Sequence, residues 1–215
     1  ALLLEDEVAN VDELIALARN ARKETKIDRL MDILREDLPA GEPVLFFTEY
    51  KATQALLFSA LEGMFGPGCV GFINGEDRLA IDIPDHRSSR VLTLVRDIAA
   101  ENFNTGKTRF LISTEAGGEG IDLQECCATL IHVDLPWNPM RLHQRVGRLN
   151  RYGQKRPVSV FLMRNPETVE ARIWGLLQDK LSKIQSAISS VMDDDEDISQ
   201  IVIGMTSAGF FDEVF

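Results

Sequence analysis

Short apolar runs alternate with amphipathic stretches through the middle of the chain. The apolar runs are bounded by turn residues and lie at 43–47, 69–73, 109–113, 129–133 and 158–163. Helical patterns occupy 52–64 and 89–103. The second of these helices is expected to turn Val91, Leu94, Val95 and Ile98 inward. Between the two, residues 76–88 are polar and are expected to be irregular. Strands that are apolar throughout and alternate with helices predict an α/β fold, with a parallel sheet covered by helices on both faces.

The two ends of the chain have a helical pattern instead. We divide the chain into a helical lead-in at 1–38, an α/β lobe at 39–164, a long covering helix at 165–191, and an acidic linker with a short final segment at 192–215. The chain begins with Ala1 rather than methionine, which indicates a piece of a longer protein. The fold prediction therefore includes N-terminal helices and a C-terminal helical extension.

Composition narrows the functional classes. Of the 215 residues, 45% are hydrophobic, but no apolar run approaches the roughly 20 residues that a membrane span needs, so no membrane partner is expected. The net charge of −11 argues against a nucleic-acid footprint over the whole surface, yet permits a local basic site. The three cysteines lack metal-ligand spacing, which favours buried thiols in a reducing cytosol and no metal site.

A glycine-rich segment, 113–123, follows the third apolar run. Its glycines let the backbone approach a ligand closely, and ligands of open parallel sheets bind beyond the carboxyl ends of the strands. Ser113 and Thr114 offer hydroxyl groups there, and Asp122 could accept a hydrogen bond from a ribose. A plain glycine-rich turn is the alternative.

Residues 136–166 contain no acidic residue, although the chain has 34. A helix beginning at Pro139, at about 100° per residue, would gather a polar face. That face comprises Gln144, Arg148 and Arg151, bordered by Arg141 and Arg145. An uncompensated arginine face in an acidic protein indicates an external anion, and guanidinium groups suit phosphate oxygens. A solvated basic face or a partner surface is the alternative.

Asn104–Thr108 ends like a phosphate-binding P-loop, but Glu101 stands where that motif needs glycine. The segment lies between a predicted helix and a predicted strand, which is the reverse of the P-loop order. We therefore predict an ordinary helix-to-strand turn.

Trp137 could stack near a nucleic-acid strand, but a packed aromatic position is favoured.

At these segments the sequence closely resembles superfamily-two helicases, and within them the Swi/Snf-type ATPases. Residues 113–123 resemble motif V and 144–154 resemble motif VI, and the intervening 134–139 are also typical of the family. Residues 43–50 resemble the less specific motif IV, and the match covers most of 25–185. The resemblance implies the C-terminal RecA-like lobe of such an ATPase.

The resemblance also implies roles for individual residues. Arg148 and Arg151 would be arginine fingers that reach the γ-phosphate of ATP. The other implied contacts are Gln144 with the phosphates, Gly120 and Asp122 with the ribose, and Ser113 and Thr114 with the nucleic-acid backbone. The P-loop and the acidic residues that hold Mg²⁺ belong to the first lobe in this family, so this chain alone should not hydrolyse ATP.

The implied parent is an ATP-driven translocase or remodeller on duplex DNA, with the N-terminal RecA-like lobe of the same chain and a possible protein target as partners. It would act in a prokaryotic cytoplasm on DNA, or in the nucleus if eukaryotic. One alternative is a DEAD-box-like RNA helicase lobe, although such proteins usually have histidine at the position of Gln144 and glycine at that of Asn150. Another is a degenerate lobe that serves as a protein-binding scaffold.

Overall fold

A five-stranded parallel sheet forms the centre of the computed structural model, which describes residues 8, 10–17, 25–82, 89–115, 120–163, 172, 175, 176, 178–180 and 183. The strands are β1 Val44–Thr48, β2 Val70–Ile73, β3 Arg78–Asp82, β4 Ser89–Thr93, β5 Phe110–Thr114, β6 Thr129–His132 and β7 Ser159–Leu162. The sheet order is β2-β5-β1-β6-β7, with Val44 opposite both Phe110 and Thr129. The predicted parallel sheet is confirmed. Every residue of its three central strands, β5, β1 and β6, is buried.

Helices cover both faces of this sheet. They are α1 Thr25–Glu36, α2 Lys51–Phe65, α3 Arg96–Asn104 and α4 Pro139–Val146. Leu30 of α1 and Leu61 of α2 pack against one face, while Phe103 of α3 and Leu142 of α4 pack against the other, each fully buried. Two apolar cores therefore hold the sheet rigid between them.

A β-hairpin replaces two of the predicted features. Residues 76–88 were expected to be irregular and 89–103 to be helical, but β3 and β4 pair antiparallel, with Ala80 opposite Val91. The predicted helix begins only at Arg96. Of the predicted inward face, Leu94 packs against the core, whereas Val91, Val95 and Ile98 are about half exposed or more. Helix α3 instead buries Ala99, Ala100 and Phe103. The spacing of the apolar residues fitted a helix, but backbone pairing with β3 takes the first five residues into a strand.

The turn between α3 and β5 agrees with the sequence prediction. Gly106 has φ 73°, a left-handed conformation that favours glycine, and the amide of Lys107 donates to the carbonyl of Asn102 at 2.8 Å. The P-loop-like segment Asn104–Thr108 is therefore a helix-to-strand turn. It offers no phosphate cradle ahead of a helix.

The ends of the chain are described only in part. Residues 10–17 are helical, with Leu14, Ile15 and Leu17 exposed. Most of the predicted covering helix at 165–191, and all of 192–215, lie outside the described residues, although the described positions from 172 to 183 are helical. None of the helices in the described part of the chain is long and apolar enough to cross a membrane.

Candidate functional site

The carboxyl ends of β1, β2 and β5 open into a cleft of about 490 Å³. Its lining includes Glu49, Lys51, Glu76, Thr114, Glu115 and Arg141. Thr114 ends β5 and lines the cleft, but its neighbour Ser113 is fully buried, and the Ser113 hydroxyl donates to the Thr114 carbonyl at 3.0 Å. Of the two predicted nucleic-acid contacts, only Thr114 lines this cleft, and it is 5% exposed.

The basic side chains of the cleft have carboxylate partners. Lys51 forms an ion pair with Glu76. Arg141, half exposed on α4, lies 3.6 Å from a carboxylate oxygen of Glu49 and 3.6 Å from one of Glu115. An anion that enters the cleft must therefore compete with these carboxylates.

Behind the cleft, Arg145 of α4 is buried, with only 1% of its side chain exposed. Its Nη2 donates to Glu115 Oε2 at 2.9 Å and lies 3.8 Å from Glu49 Oε1. Its Nη1 donates to the carbonyl of Asp134 at 3.2 Å and lies 3.8 Å from the carboxylate of that residue. One guanidinium therefore connects the segments that follow β1, β5 and β6; we call this group the Arg145 cluster.

The carboxylates of the Arg145 cluster are themselves held. The hydroxyl of Thr48, the last residue of β1, donates to Asp134 Oδ2 at 2.6 Å. The amide of Glu49 donates to both carboxylate oxygens of Asp134, at 2.9 and 3.1 Å. Burial, followed by the neighbouring charge of Asp134, raises the pKa of Glu49. The carboxylates of the cluster are therefore fixed by hydrogen bonds and lie close to one another.

His132, the last residue of β6, lies against the same guanidinium. Its Nδ1 is 3.4 Å from Arg145 Nη1, and Phe47 stacks on the imidazole at 6.4 Å while lying 5.4 Å beneath the guanidinium carbon. Complete burial, and then the charge of Arg145, hold the pKa of His132 well below its ordinary value. The neutral imidazole can therefore accept a hydrogen bond from Arg145.

The predicted helical arginine face is wrong, because α4 ends at Val146. The amide of the capping residue Gly147 donates to the carbonyl of His143 at 2.8 Å. The amide of Arg148 donates to the carbonyl of Arg145 at 3.1 Å. Tight turns then carry the chain onward, as in the bond from the Arg151 amide to the Leu149 carbonyl at 3.0 Å. Gln144 is exposed on α4, whereas Arg148 and Arg151 lie in the turns beyond it.

The structure nevertheless brings the two arginines to the end of the glycine-rich segment. Arg151 forms an ion pair with Asp122, and the amide of Leu123 donates to the carbonyl of Arg148 at 3.2 Å. Arg148 is half-buried, and its side chain has no hydrogen-bond or ion-pair partner among the described residues. Gly120 has φ 74°, and the preceding 116–119 lie outside the described residues.

The expectation of uncompensated arginines is wrong for every predicted arginine except Arg148. Acidic residues from distant parts of the chain pair with four of them, namely Arg141, Arg145, Arg151 and Arg156, the last to Glu42 at 3.0 Å. These acids lie outside the segment whose composition prompted the prediction. Trp137, predicted to be packed, is 57% exposed.

Sequence reasoning missed the residue that organises the turns after α4. The amide group of Gln154 donates to the carbonyls of Cys127 at 2.9 Å and Leu149 at 3.2 Å. Its Oε1 accepts from the amides of Lys155 and Arg156, each at 3.0 Å. Gln154 thus fixes the segment that carries Arg148 and Arg151. The available signal was the Gly153-Gln154 pair itself, because a glycine with φ 96° permits the turn.

Comparisons with known proteins agree with this architecture. Residues 25–153 match the family model of the helicase conserved C-terminal domain. The uncharacterized ATP-dependent helicase YqhH of Bacillus subtilis is 35% identical over 183 residues, which are 85% of this chain and 29% of that protein. Protein CHROMATIN REMODELING 24 of Arabidopsis thaliana is 28% identical over 77% of this chain and 14% of its own length.

A solved structure, the Sulfolobus solfataricus SWI2/SNF2 ATPase core in complex with dsDNA, superposes with a TM-score of 0.55 at 28% identity, covering 79% of this chain and 32% of that one. The C-terminal part of the Fun30 ATPase domain, at 23% identity and a TM-score of 0.54, shares the fold. The chain spans less than a third of the length of the curated relatives named above. It belongs to the helicase C-terminal domain family, as a RecA-like C-terminal lobe of the Swi/Snf type in superfamily two.

Proposed function

We propose that this lobe completes the ATP site of a nucleic-acid translocase or remodeller that acts on duplex DNA. Two contacts at the end of the glycine-rich segment carry the proposal: the ion pair of Arg151 with Asp122, and the backbone hydrogen bond from Leu123 to Arg148. Arg148 is half-buried and its side chain has no hydrogen-bond or ion-pair partner among the described residues, which suits a residue kept for an external phosphate. Arg151 would exchange its Asp122 carboxylate for the same anion.

ATP would be shared between this lobe and a first lobe of the same protein. Arg148 and Arg151 would meet the negative charge that develops on the transferring phosphoryl group, a contribution on the order of 10³–10⁵ in rate in related systems. Gln144 would face the phosphates, and Gly120 and Asp122 would approach the ribose. We propose that Mg²⁺ is held mainly by the first lobe, so that this chain alone has no ATPase activity.

The cleft at the carboxyl edge of the sheet is the proposed nucleic-acid contact. Thr114 at the end of β5, Lys51 at the start of α2 and Arg141 on α4 line it, and hydroxyl and basic groups suit the phosphate backbone. The complex of the Sulfolobus relative with dsDNA supports duplex DNA as the substrate. Because Lys51 and Arg141 have carboxylate partners, we expect this lobe alone to bind DNA weakly. The matched relatives are bacterial and eukaryotic, so the proposed location is the prokaryotic cytoplasm, in association with DNA, or the nucleus of a eukaryote.

The test is ATP turnover by the two-lobe protein with duplex DNA, single-stranded DNA or RNA added separately. We expect stimulation by duplex DNA, and a loss of about 10³ in kcat in Arg151→Ala. The isolated chain should show no turnover, and Arg156→Ala serves as a matched control because Arg156 pairs with Glu42, at the amino end of β1.

The outcomes separate the candidate functions. Stimulation by RNA alone would replace the duplex-DNA substrate with the RNA helicase alternative. Absence of turnover with every nucleic acid would replace the translocase with the scaffold alternative. Turnover by the isolated chain would contradict the division of the ATP site between two lobes.

A further inference from the structure

Arg145 connects the two halves of the proposed site. On one side its Nη2 holds Glu115, the residue directly after the cleft residue Thr114. On the other side Arg145 lies on the last turn of α4, three residues before Arg148 in sequence, and its carbonyl accepts from the Arg148 amide at 3.1 Å. We propose that Arg145 is a positioning residue that couples nucleic-acid contact at the cleft to the placement of Arg148 and Arg151 at ATP. The inference rests on the proposed function.

The coupling follows from the burial of the guanidinium. A buried cation must keep its carboxylate and carbonyl partners, because an unpaired buried charge is strongly unfavourable. When a phosphate displaces Arg141 from Glu49 and Glu115, these two carboxylates have Arg145 as their remaining close cation among the described residues. A shift of Glu115 therefore moves Arg145, and with it the end of α4.

The planar fork of arginine is needed for this role. One guanidinium nitrogen reaches the segment after β5 while the other reaches the Asp134 carbonyl after β6, at 2.9 and 3.2 Å. A lysine ammonium at the end of a flexible stem supplies the charge without this fixed geometry. Arg145→Lys should therefore keep the lobe folded while loosening the connection.

The experiment measures the ratio of kcat with saturating duplex DNA to kcat without DNA, in the two-lobe protein. We expect the ratio to fall about tenfold in Arg145→Lys, a typical magnitude for coupling between two sites. Glu115→Gln provides a second variant that keeps the side-chain size, and the ratio should fall in the same direction. Arg156→Lys, which alters an arginine–carboxylate pair at the opposite edge of the sheet, should leave the ratio unchanged.

A purely structural role predicts a different result. In that case both variants lower the thermal midpoint, while stimulated and unstimulated rates fall in parallel and their ratio stays constant. That outcome overturns the coupling role but leaves the proposed function intact. Absence of stimulation in the unmodified protein overturns both, whereas a lowered ratio in Arg145→Lys and Glu115→Gln, with Arg156→Lys unaffected, supports the coupling.

Discussion

Arg145 and Arg151 lie six residues apart in the same acid-free segment, yet their surroundings differ completely. Arg145 is buried among Glu49, Glu115 and Asp134, with 1% of its side chain exposed. Arg151 is 44% exposed and pairs with a single carboxylate, that of Asp122, which is 55% exposed. The first guanidinium is fixed by several contacts, and the second can exchange its partner.

The difference separates a positioning role from a reactive role in one short stretch. Breaking a buried pair leaves an unsatisfied charge, which costs several kcal/mol, whereas an exposed pair contributes roughly 0–1 kcal/mol. An arginine that must transfer from a carboxylate to a phosphate during each cycle needs the weaker arrangement. An arginine that maintains the geometry of three strand ends needs the stronger one.

The largest expected effect tests this contrast in stability. Arg145→Met should lower the free energy of unfolding of the chain by about 3 kcal/mol, because three carboxylates lose their common buried cation. Arg151→Met should change it by less than about 0.5 kcal/mol, because both partners are solvated. Urea unfolding monitored by circular dichroism measures both values.

A double variant sharpens the result. In Arg145→Met with Glu115→Gln, part of the loss should be recovered, because one uncompensated carboxylate has been removed. Equal losses in Arg145→Met and Arg151→Met would contradict the distinction between the buried and the exposed arginine.

The next effect concerns pH. The folded-state pKa of His132 lies well below the ordinary value of 6.5, so the folded protein binds fewer protons than the unfolded chain. The stability that this provides is complete above the unfolded pKa and is lost as pH falls below about 6.5 towards the lower folded-state pKa, at up to about 1.4 kcal/mol per pH unit. His132→Gln should remove this component of the pH dependence.

The measurement is the difference in unfolding free energy between variant and unmodified protein across that range. Subtraction removes the contribution of other titratable groups that the two proteins share. One of these groups is Glu49 of the Arg145 cluster, whose pKa is raised. His143→Gln is the matched control, since His143 is exposed on α4. An unchanged pH profile in His132→Gln would mean that protonation of His132 does not limit the stability of the Arg145 cluster.

The smallest expected effect concerns the exposed pair. Asp122→Asn should free Arg151 and lower the KM for ATP of the two-lobe protein by up to about fivefold at low salt, the range of an exposed ion pair. The difference should disappear near 1 M salt, where the screening length is about 3 Å. A higher KM at all salt concentrations would instead indicate that Asp122 contributes to nucleotide binding more than it restrains Arg151.

Much of the fold was predictable because the strands are buried on both faces. Continuous apolar runs such as 43–47 and 109–113 indicate a parallel sheet without any knowledge of their partners. The hairpin was missed because Val91 and Val95 fit a helical spacing, and the pairing of β4 with β3 depends on residues about ten positions earlier. Local pattern cannot reveal which backbone groups a segment will meet.

The sequence predicted which arginines belong to the site, but not their positions or their partners. The composition of 136–166 singled out the arginines, yet their acidic partners come from elsewhere, and the partner of Arg156, Glu42, lies 114 positions away. The end of α4 at Val146 also depends on tertiary contacts, such as that between Leu123 and Arg148. The burial of Arg145 required the three strand ends to be in place.

The cleft carries its own counterions. Ordinarily, each lysine or arginine that meets DNA releases a condensed cation, and binding weakens steeply as salt is added. Here Lys51 and Arg141 must first leave Glu76, Glu49 or Glu115, and the vacated carboxylates then attract cations from solution. The uptake of cations at the protein offsets part of the entropy that their release from the DNA provides. The logarithm of affinity should therefore fall less steeply with the logarithm of salt concentration than the number of basic contacts implies.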